Sequence, residues 1–161
     1  MIVKFFRRVK GSGAGPLNDL LVTKGKPRDG SKVLYGDPKL TEQLINATPF
    51  KQKYKAGVLS FTEDAKEFTD EQKKDIMQRF EETLFVGLEP DQYDILWVEH
   101  TDKGGRLELN FVIPCQELRS GKLLQPFYAG ADLLRVNAFK NIIKQEYGLT
   151  DPNDPERKRL I

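Results

Sequence analysis

Two apolar segments joined by a glycine turn constrain this chain more than any other feature in it. Residues 93–100, YDILWVEH, and 107–114, LELNFVIP, carry apolar side chains on both alternating faces. Strands of that kind belong in the middle of a sheet covered on both sides. The connection TDKGGR supplies Asp-Lys-Gly-Gly, good material for a tight turn, so the pair reads as a hairpin. Alternation puts Leu96, Val98 and His100 on one side of the first strand, and Glu108, Asn110 and Val112 on one side of the second. A turn centred near Gly104 sets His100 opposite Glu108 and Val98 opposite Asn110. An imidazole, a carboxylate and an amide oxygen can then meet at one end of the hairpin.

The remaining elements follow in mixed order. IVKFFRR opens as a strand with Arg7 and Arg8 at its exit. KGSGAGP, residues 10–16, is a glycine-rich loop whose backbone amides can approach a phosphate. Pro16 opens a short helix, PLNDLL, with Leu17, Leu20 and Leu21 turned inward and Asn18 and Asp19 outward. Residues 22–31 read as loop and SKVLYG as a strand. Asp37 and Pro38 start a second helix with Leu40, Leu44 and Ala47 as its stripe, limited by Pro49. KYKAGVLSF is another strand. A capping box from Thr69 to Gln72 opens the clearest helix, with Ile76, Met77, Phe80 and Leu84 on one face and Gly87 beyond it. A last helix runs from about Asp132 to Tyr147, with Val136, Phe139, Ile143 and Tyr147 inward and Gly148 as its stop. The expected fold is α+β, a central, mostly antiparallel five-stranded sheet flanked by helices, over residues 1–150. Residues 151–161 read as a C-terminal tail or linker.

A chain of 161 residues is most simply one domain, and no apolar run approaches the length of a membrane span. The N-terminus lacks the apolar core of a signal peptide. One cysteine, Cys115, excludes an internal disulfide and a multi-cysteine zinc site, and points to a reducing cytoplasm. The net charge of +2 conceals a polarised distribution. Residues 1–35 hold eight Lys/Arg against Asp19 and Asp29, whereas residues 62–94 hold eleven acids against four bases. The acidic run is the exposed face of the third helix. A basic end suits a polyanionic partner such as nucleic acid, the plainer reading being a solvated face.

His100 is the single histidine. At a strand end it reads most simply as a solvated or hydrogen-bonded side chain. Glu108 and Asn110, however, interrupt an otherwise apolar strand, where burying them is costly unless they are paired or bind a cation. Such N/O donors suit Mn²⁺, Zn²⁺ or Mg²⁺ without selecting among them.

WVEHTDKGGRLELNFVIP resembles the signature of plasmid mobilization relaxases with a His-Glu-Asn triad, the type carried by small colicin plasmids. GAGP, YKAGVLSF, DQYDILWVEH and GKLLQPFY followed by RVNAF look like that family's blocks in the same order, over nearly the whole chain. The resemblance implies a fold related to rolling-circle endonucleases, and a nicking and strand-transfer enzyme acting on single-stranded and hairpin DNA at an origin of transfer. Accessory mobilization proteins would be further partners. In the family a tyrosine attacks a phosphodiester to leave a 5′-phosphotyrosyl link, and a divalent metal polarises the phosphate. Carried over by position, His100, Glu108 and Asn110 would be the metal triad, for Mg²⁺ or Mn²⁺ first and Zn²⁺ or Ni²⁺ next. Relaxases of this kind usually continue into a C-terminal region, so this chain is expected to be part of a longer one.

Two departures matter. One extra glycine in the turn, Gly104-Gly105, lengthens the hairpin tip and bears on the placement of His100. Where the family has GAGP-x-x-Y-L-L, this chain reads GAGPLNDLL, with Asp19 at the nucleophile's position. The first reading is a disarmed relaxase that still binds DNA and metal. The others are a nucleophile moved to Tyr35 or Tyr54, and Asp19 as an additional metal ligand favouring hydrolysis. A non-catalytic origin-binding regulator and a metal-dependent nuclease are the functional alternatives. Candidate DNA contacts are Arg7, Arg8 and Lys10 at the glycine loop and Lys103 and Arg106 at the hairpin tip. Lys51, Lys53 and Lys55, which alternate with Phe50 and Tyr54, form a further basic and aromatic stretch.

Overall fold

A computed structural model of the chain describes residues 1–6, 12–23 and 25–150. Arg7, Arg8, Lys10 and the tail at 151–161 lie outside the described residues. The elements run β1 (Ile2–Phe5), α1 (Ala14–Leu21), β2 (Val22–Thr23), β3 (Lys26–Pro27), β4 (Ser31–Tyr35), α2 (Pro38–Ala47), β5 (Tyr54–Asp64), α3 (Asp70–Leu84), β6 (Leu96–Thr101), β7 (Arg106–Pro114) and α4 (Ala129–Tyr147). Five strands form one sheet in the order β1-β5-β7-β6-β4, with every pairing antiparallel. The hairpin β6–β7 is therefore interior, as its two-sided apolar pattern requires. No helix among the described residues is long and apolar enough to cross a membrane.

The two faces of the sheet are covered unequally. On one, Leu59, Phe61, Trp97, Leu107, Leu109, Phe111 and Ile113 meet α3 and α4. Phe80 of α3 sits at the centre of that layer, its ring 5.7 Å from Trp97, 5.0 Å from Phe111 and 5.4 Å from Phe139. On the other face a smaller cluster joins Leu17 of α1 and Ile45 of α2 to Tyr54, Ala56, Leu96, Val98 and Val112. Beyond that cluster the face carries the polar Ser31, Ser60, His100 and Glu108, with Ile2 and Val33 exposed at its edges.

Local chemistry explains most element ends. Thr69 and Gln72 form both halves of the capping box of α3. Asp37 caps α2, accepting from Lys39 N. Gly148 ends α4 in the left-handed conformation. Several boundaries differ from the sequence pattern. The first helix starts at Ala14, so Pro16 lies within its first turn, where its missing N–H costs nothing. In α2 the buried positions are Thr41 and Ile45, and Leu40 is exposed, because Thr41 Oγ1 donates to Asp94 Oδ2 (2.6 Å) and turns the helix that way. The strand expected from Tyr93 begins at Leu96, after a 3-10 turn at Pro90–Gln92. The last helix gains a turn before Asp132, whose carboxylate accepts from Tyr128 N (2.7 Å) at the helix start. The loop after α1 contains the small β2–β3 ribbon.

Gly57 in β5 stands between Phe5 and Phe111 in the strand register. A Cβ there would lie 2.3 Å from Lys4 O and 2.5 Å from Phe111 Cζ. Gly57→Ala is expected to destabilise the fold by about 1–3 kcal/mol through overpacking. A denaturation midpoint equal to that of the wild type would contradict this packing.

Glu81 of α3 accepts from Tyr93 Oη (2.9 Å) and Trp97 Nε1 (3.1 Å). Burial pushes its carboxyl above the ordinary 4.5, outweighing the lowering effect of both hydrogen bonds. A raised acid is favoured in its protonated form by folding, so the cost of charging it appears as pH rises past 4.5. Glu81→Gln keeps an acceptor for Trp97, and the Tyr93 hydroxyl can rotate to accept. Urea unfolding should show the variant matching the wild type below about pH 4 and exceeding it at about pH 7. A variant less stable at neutral pH would refute the argument.

Candidate metal and DNA site

The hairpin tip settles the register. Gly105 N donates to Asp102 O (2.9 Å) to close a turn, and Asp102 N donates to Arg106 O (3.2 Å). Asp102 Oδ1 accepts from Gly104 N (2.8 Å) and Arg106 N (2.9 Å). Gly105 adopts φ +82°, the left-handed conformation that follows the turn in a three-residue hairpin loop. The additional glycine is thus absorbed at the tip. His100 pairs opposite Glu108, and Val98 opposite Asn110.

That register continues across the sheet. One row reads Ile2, Ser60, Glu108, His100, Ser31; the next reads Lys4, Val58, Asn110, Val98, Val33. His100, Glu108 and Asn110 therefore share the face that carries α1 and α2. His100 is 4% exposed and Asn110 5%, whereas Glu108 is half-buried.

Helix α1 ends on this row. A helix terminus leaves its last four carbonyls without intrahelical donors. Asn18 O accepts from Val22 N, and Leu21 O from Arg28 N (2.8 Å). Asp19 O accepts from Arg28 Nη1 (2.8 Å). Leu20 O takes two donors, Ser31 Oγ (2.8 Å) and His100 Nε2 (2.7 Å). Because a carbonyl only accepts, Nε2 of His100 carries the proton and Nδ1 the lone pair. Burial lowers the pKa of His100, assisted by the positive charge of Arg28 and opposed by the Leu20 hydrogen bond and by Glu108. The neutral imidazole is the form that can ligate a metal.

The donor set suits a divalent cation. A metal-bound imidazole commonly gives its second N–H to a backbone carbonyl, which is the arrangement of His100 on Leu20. Asn110 Nδ2 faces Val98 O at 3.4 Å, so Oδ1 is the acceptor end of that amide. One imidazole nitrogen, a carboxylate and an amide oxygen fit a borderline or hard ion. Among the described residues no three His, Cys, Asp or Glu side chains cluster to hold a metal. A site here therefore needs the Asn110 amide as its third donor, and Asp19 does not join His100 and Glu108 in a carboxylate cluster.

Asp19 is exposed and lines a small apolar groove of about 170 Å³ with Phe6, Pro16, Leu20, Tyr54 and Ala56. Tyr54 is buried in the core, about 13 Å along β5 from the Val58 row. It is a packing residue rather than an exposed platform for bases. Tyr35 pairs beside Trp97 and lines the cleft under α3, away from His100. The remaining tyrosines are also elsewhere: Tyr93 on Glu81, Tyr147 on Asp75, and Tyr128 at the start of α4.

Charge is distributed to match. Every ion pair among the described residues involves α3, α4 or the loops beside them: Lys73–Glu99, Arg79 with Asp75 and Glu146, Arg119–Asp91 and Arg135–Asp132. Lys4, Lys26, Arg28, Lys103 and Arg106 form no ion pair among these residues. Lys103 and Arg106 are exposed at the hairpin tip. Lys53 Nζ instead donates to Thr48 O (2.7 Å), and Lys55 lies over the Phe5 ring. Ser31 and Arg28 escaped sequence reasoning, since their partners are backbone carbonyls 11 and 9 residues away. The only hint of Arg28 was its membership of the basic end.

No protein-family model matches the chain. It is 52% identical over all 161 residues to DNA relaxase MbeA of Escherichia coli, of which it spans 30%. It is 50% identical, again over its whole length, to cryptic plasmid protein C of Neisseria gonorrhoeae, of which it spans 77%. Both comparisons span the whole chain and so take in the hairpin and the helix docked on it. The chain belongs to the MbeA-like plasmid mobilization relaxases.

Proposed function

We propose that this chain is a DNA-binding relaxase domain that engages single-stranded and hairpin DNA at a plasmid origin of transfer. The observation that carries this reading is the row placing His100 opposite Glu108, with Asn110 two residues beyond Glu108 on the same face and α1 docked beside them. The unpaired cations on this face support a polyanionic partner. Lys103 and Arg106 at the hairpin tip would neutralise phosphates, joined by Arg7, Arg8 and Lys10 from the segment entering α1.

His100 Nδ1, Glu108 and Asn110 Oδ1 would hold a divalent cation, Mg²⁺ or Mn²⁺ first and Zn²⁺ or Ni²⁺ next. When bound, it supplies Lewis-acid polarisation of a phosphate oxygen. The chain's own residues orient that site: Leu20 O fixes the imidazole, and Val98 O the amide. What the site lacks is the family's nucleophile. Asp19 occupies the tyrosine's position, its carboxylate repels phosphate, and attack through it would give an acyl phosphate. No tyrosine stands on the His100 row. We read the chain as one that binds and positions origin DNA without forming the phosphotyrosyl link.

Two experiments test this. Mn²⁺ binding, followed by the loss of its free EPR signal, should weaken at least about tenfold in Glu108→Ala and Asn110→Ala. Undiminished binding in both would remove the triad. With Mg²⁺ or Mn²⁺ and a labelled origin oligonucleotide, the wild type should give no covalent adduct on a denaturing gel, and Asp19→Tyr should give one. An adduct with the wild type would overturn the disarmed reading, and a new free 5′ end would make the chain a hydrolytic nuclease.

A further inference from the structure

Arg28 follows the β2–β3 ribbon and is tied to the end of α1. Its backbone N–H donates to Leu21 O and its Nη1 to Asp19 O, both at 2.8 Å. A guanidinium has five N–H donors in a rigid fork, and the Asp19 carbonyl occupies one. The residue is exposed. Five arginines are described. Arg79, Arg119 and Arg135 each meet a carboxylate, on the side of the molecule remote from His100. Arg28 and Arg106 do not, and both lie at the end of the sheet where His100 and Glu108 pair. Arg28 is anchored to the backbone oxygen of Asp19 and forms no ion pair among the described residues.

We propose that Arg28 is a phosphate-binding residue of this site, gripping a phosphodiester of the bound DNA strand beside Asp19. The inference rests on the DNA-binding reading above and adds a residue to it. One N–H held by a helix-terminal carbonyl pre-orients the guanidinium and reduces the entropy lost on binding. The remaining donors match the oxygens of a phosphate, for which arginine is better shaped than lysine. A cation here also offsets the repulsion that the Asp19 carboxylate exerts on an approaching strand. The competing role is purely structural, a side-chain cap on α1.

The test is equilibrium binding of the chain to a fluorescent single-stranded origin oligonucleotide, in EDTA, across about 50 to 200 mM salt. Arg28→Gln should flatten the slope of log K against log salt by about 0.7, the share of one single-strand phosphate. The same relation predicts about fivefold weaker binding near 0.1 M salt. Arg28→Lys should keep the slope, and Lys74→Gln on α3 should leave it unchanged. An unaltered slope in Arg28→Gln overturns the proposal and leaves the capping role, whereas absence of salt-dependent binding by the wild type defeats the DNA reading itself. Should Arg28→Gln not fold, the wild-type complex still decides: saturating oligonucleotide should protect Arg28 from phenylglyoxal, read by mass spectrometry. Undiminished modification in the saturated complex refutes the contact.

Discussion

The hydrogen bond from His100 Nε2 to Leu20 O connects the two parts of the molecule that form the candidate site. One partner is the middle of a rigid sheet; the other is the end of an eight-residue helix. An isolated helix of that length has little stability of its own, so tertiary contacts must hold it. Leu17 supplies the apolar contact, and the terminal carbonyls supply direction. Because those carbonyls are satisfied from β4, β6 and the loop before β4, the helix end has a defined position on the His100 row. The same bond selects the imidazole's tautomer. Presentation of the Nδ1 lone pair is therefore a consequence of this contact, which also helps to place residue 19.

The two faces of the sheet differ in packing and in charge. The α3/α4 side holds the large aromatic cluster and all the ion pairs among the described residues. Most of those pairs are exposed and individually contribute little, the largely buried Lys73–Glu99 pair being the exception. The α1/α2 side has a smaller apolar cluster, a polar row and uncompensated cations. A face left in that state gains most from a polyanion, since phosphate contacts release counterions at little desolvation cost.

Much of this architecture was legible in the residues. Two-sided apolarity placed β6 and β7 inside the sheet, and the Asp-Lys-Gly-Gly turn gave the His100–Glu108 pairing because strand alternation has a strict period of two. The Thr69–Gln72 box and Gly148 were legible because capping is local chemistry. Boundaries decided by distant contacts were not. Thr41 is buried in preference to Leu40 because of Asp94, 53 residues away, and no periodicity within α2 encodes that partner. Tyr54 looked like an alternating aromatic beside lysines, but its side chain faces the α1/α2 cluster. Arg28 and Ser31 were invisible as site residues for a related reason: each recognises a carbonyl, which every residue has.

Asp19 separates placement from reactivity. Its position depends on Leu17, on the helix-terminal carbonyls and on the donors from Arg28, Ser31 and His100. None of those interactions involves the side chain at residue 19. The fold therefore tolerates tyrosine or aspartate there with the same docking, while the chemistry does not. A phenol can attack phosphorus and remain linked as a stable ester, whereas a carboxylate yields a labile acyl phosphate and carries charge of the wrong sign for approach. Replacing the one by the other removes the nucleophile but leaves the imidazole, the carboxylate, the amide and the basic surroundings arranged around the position it would occupy. On the reading proposed above, affinity for DNA and for a cation would rest on those surroundings, so binding and strand transfer would be separable at this single residue.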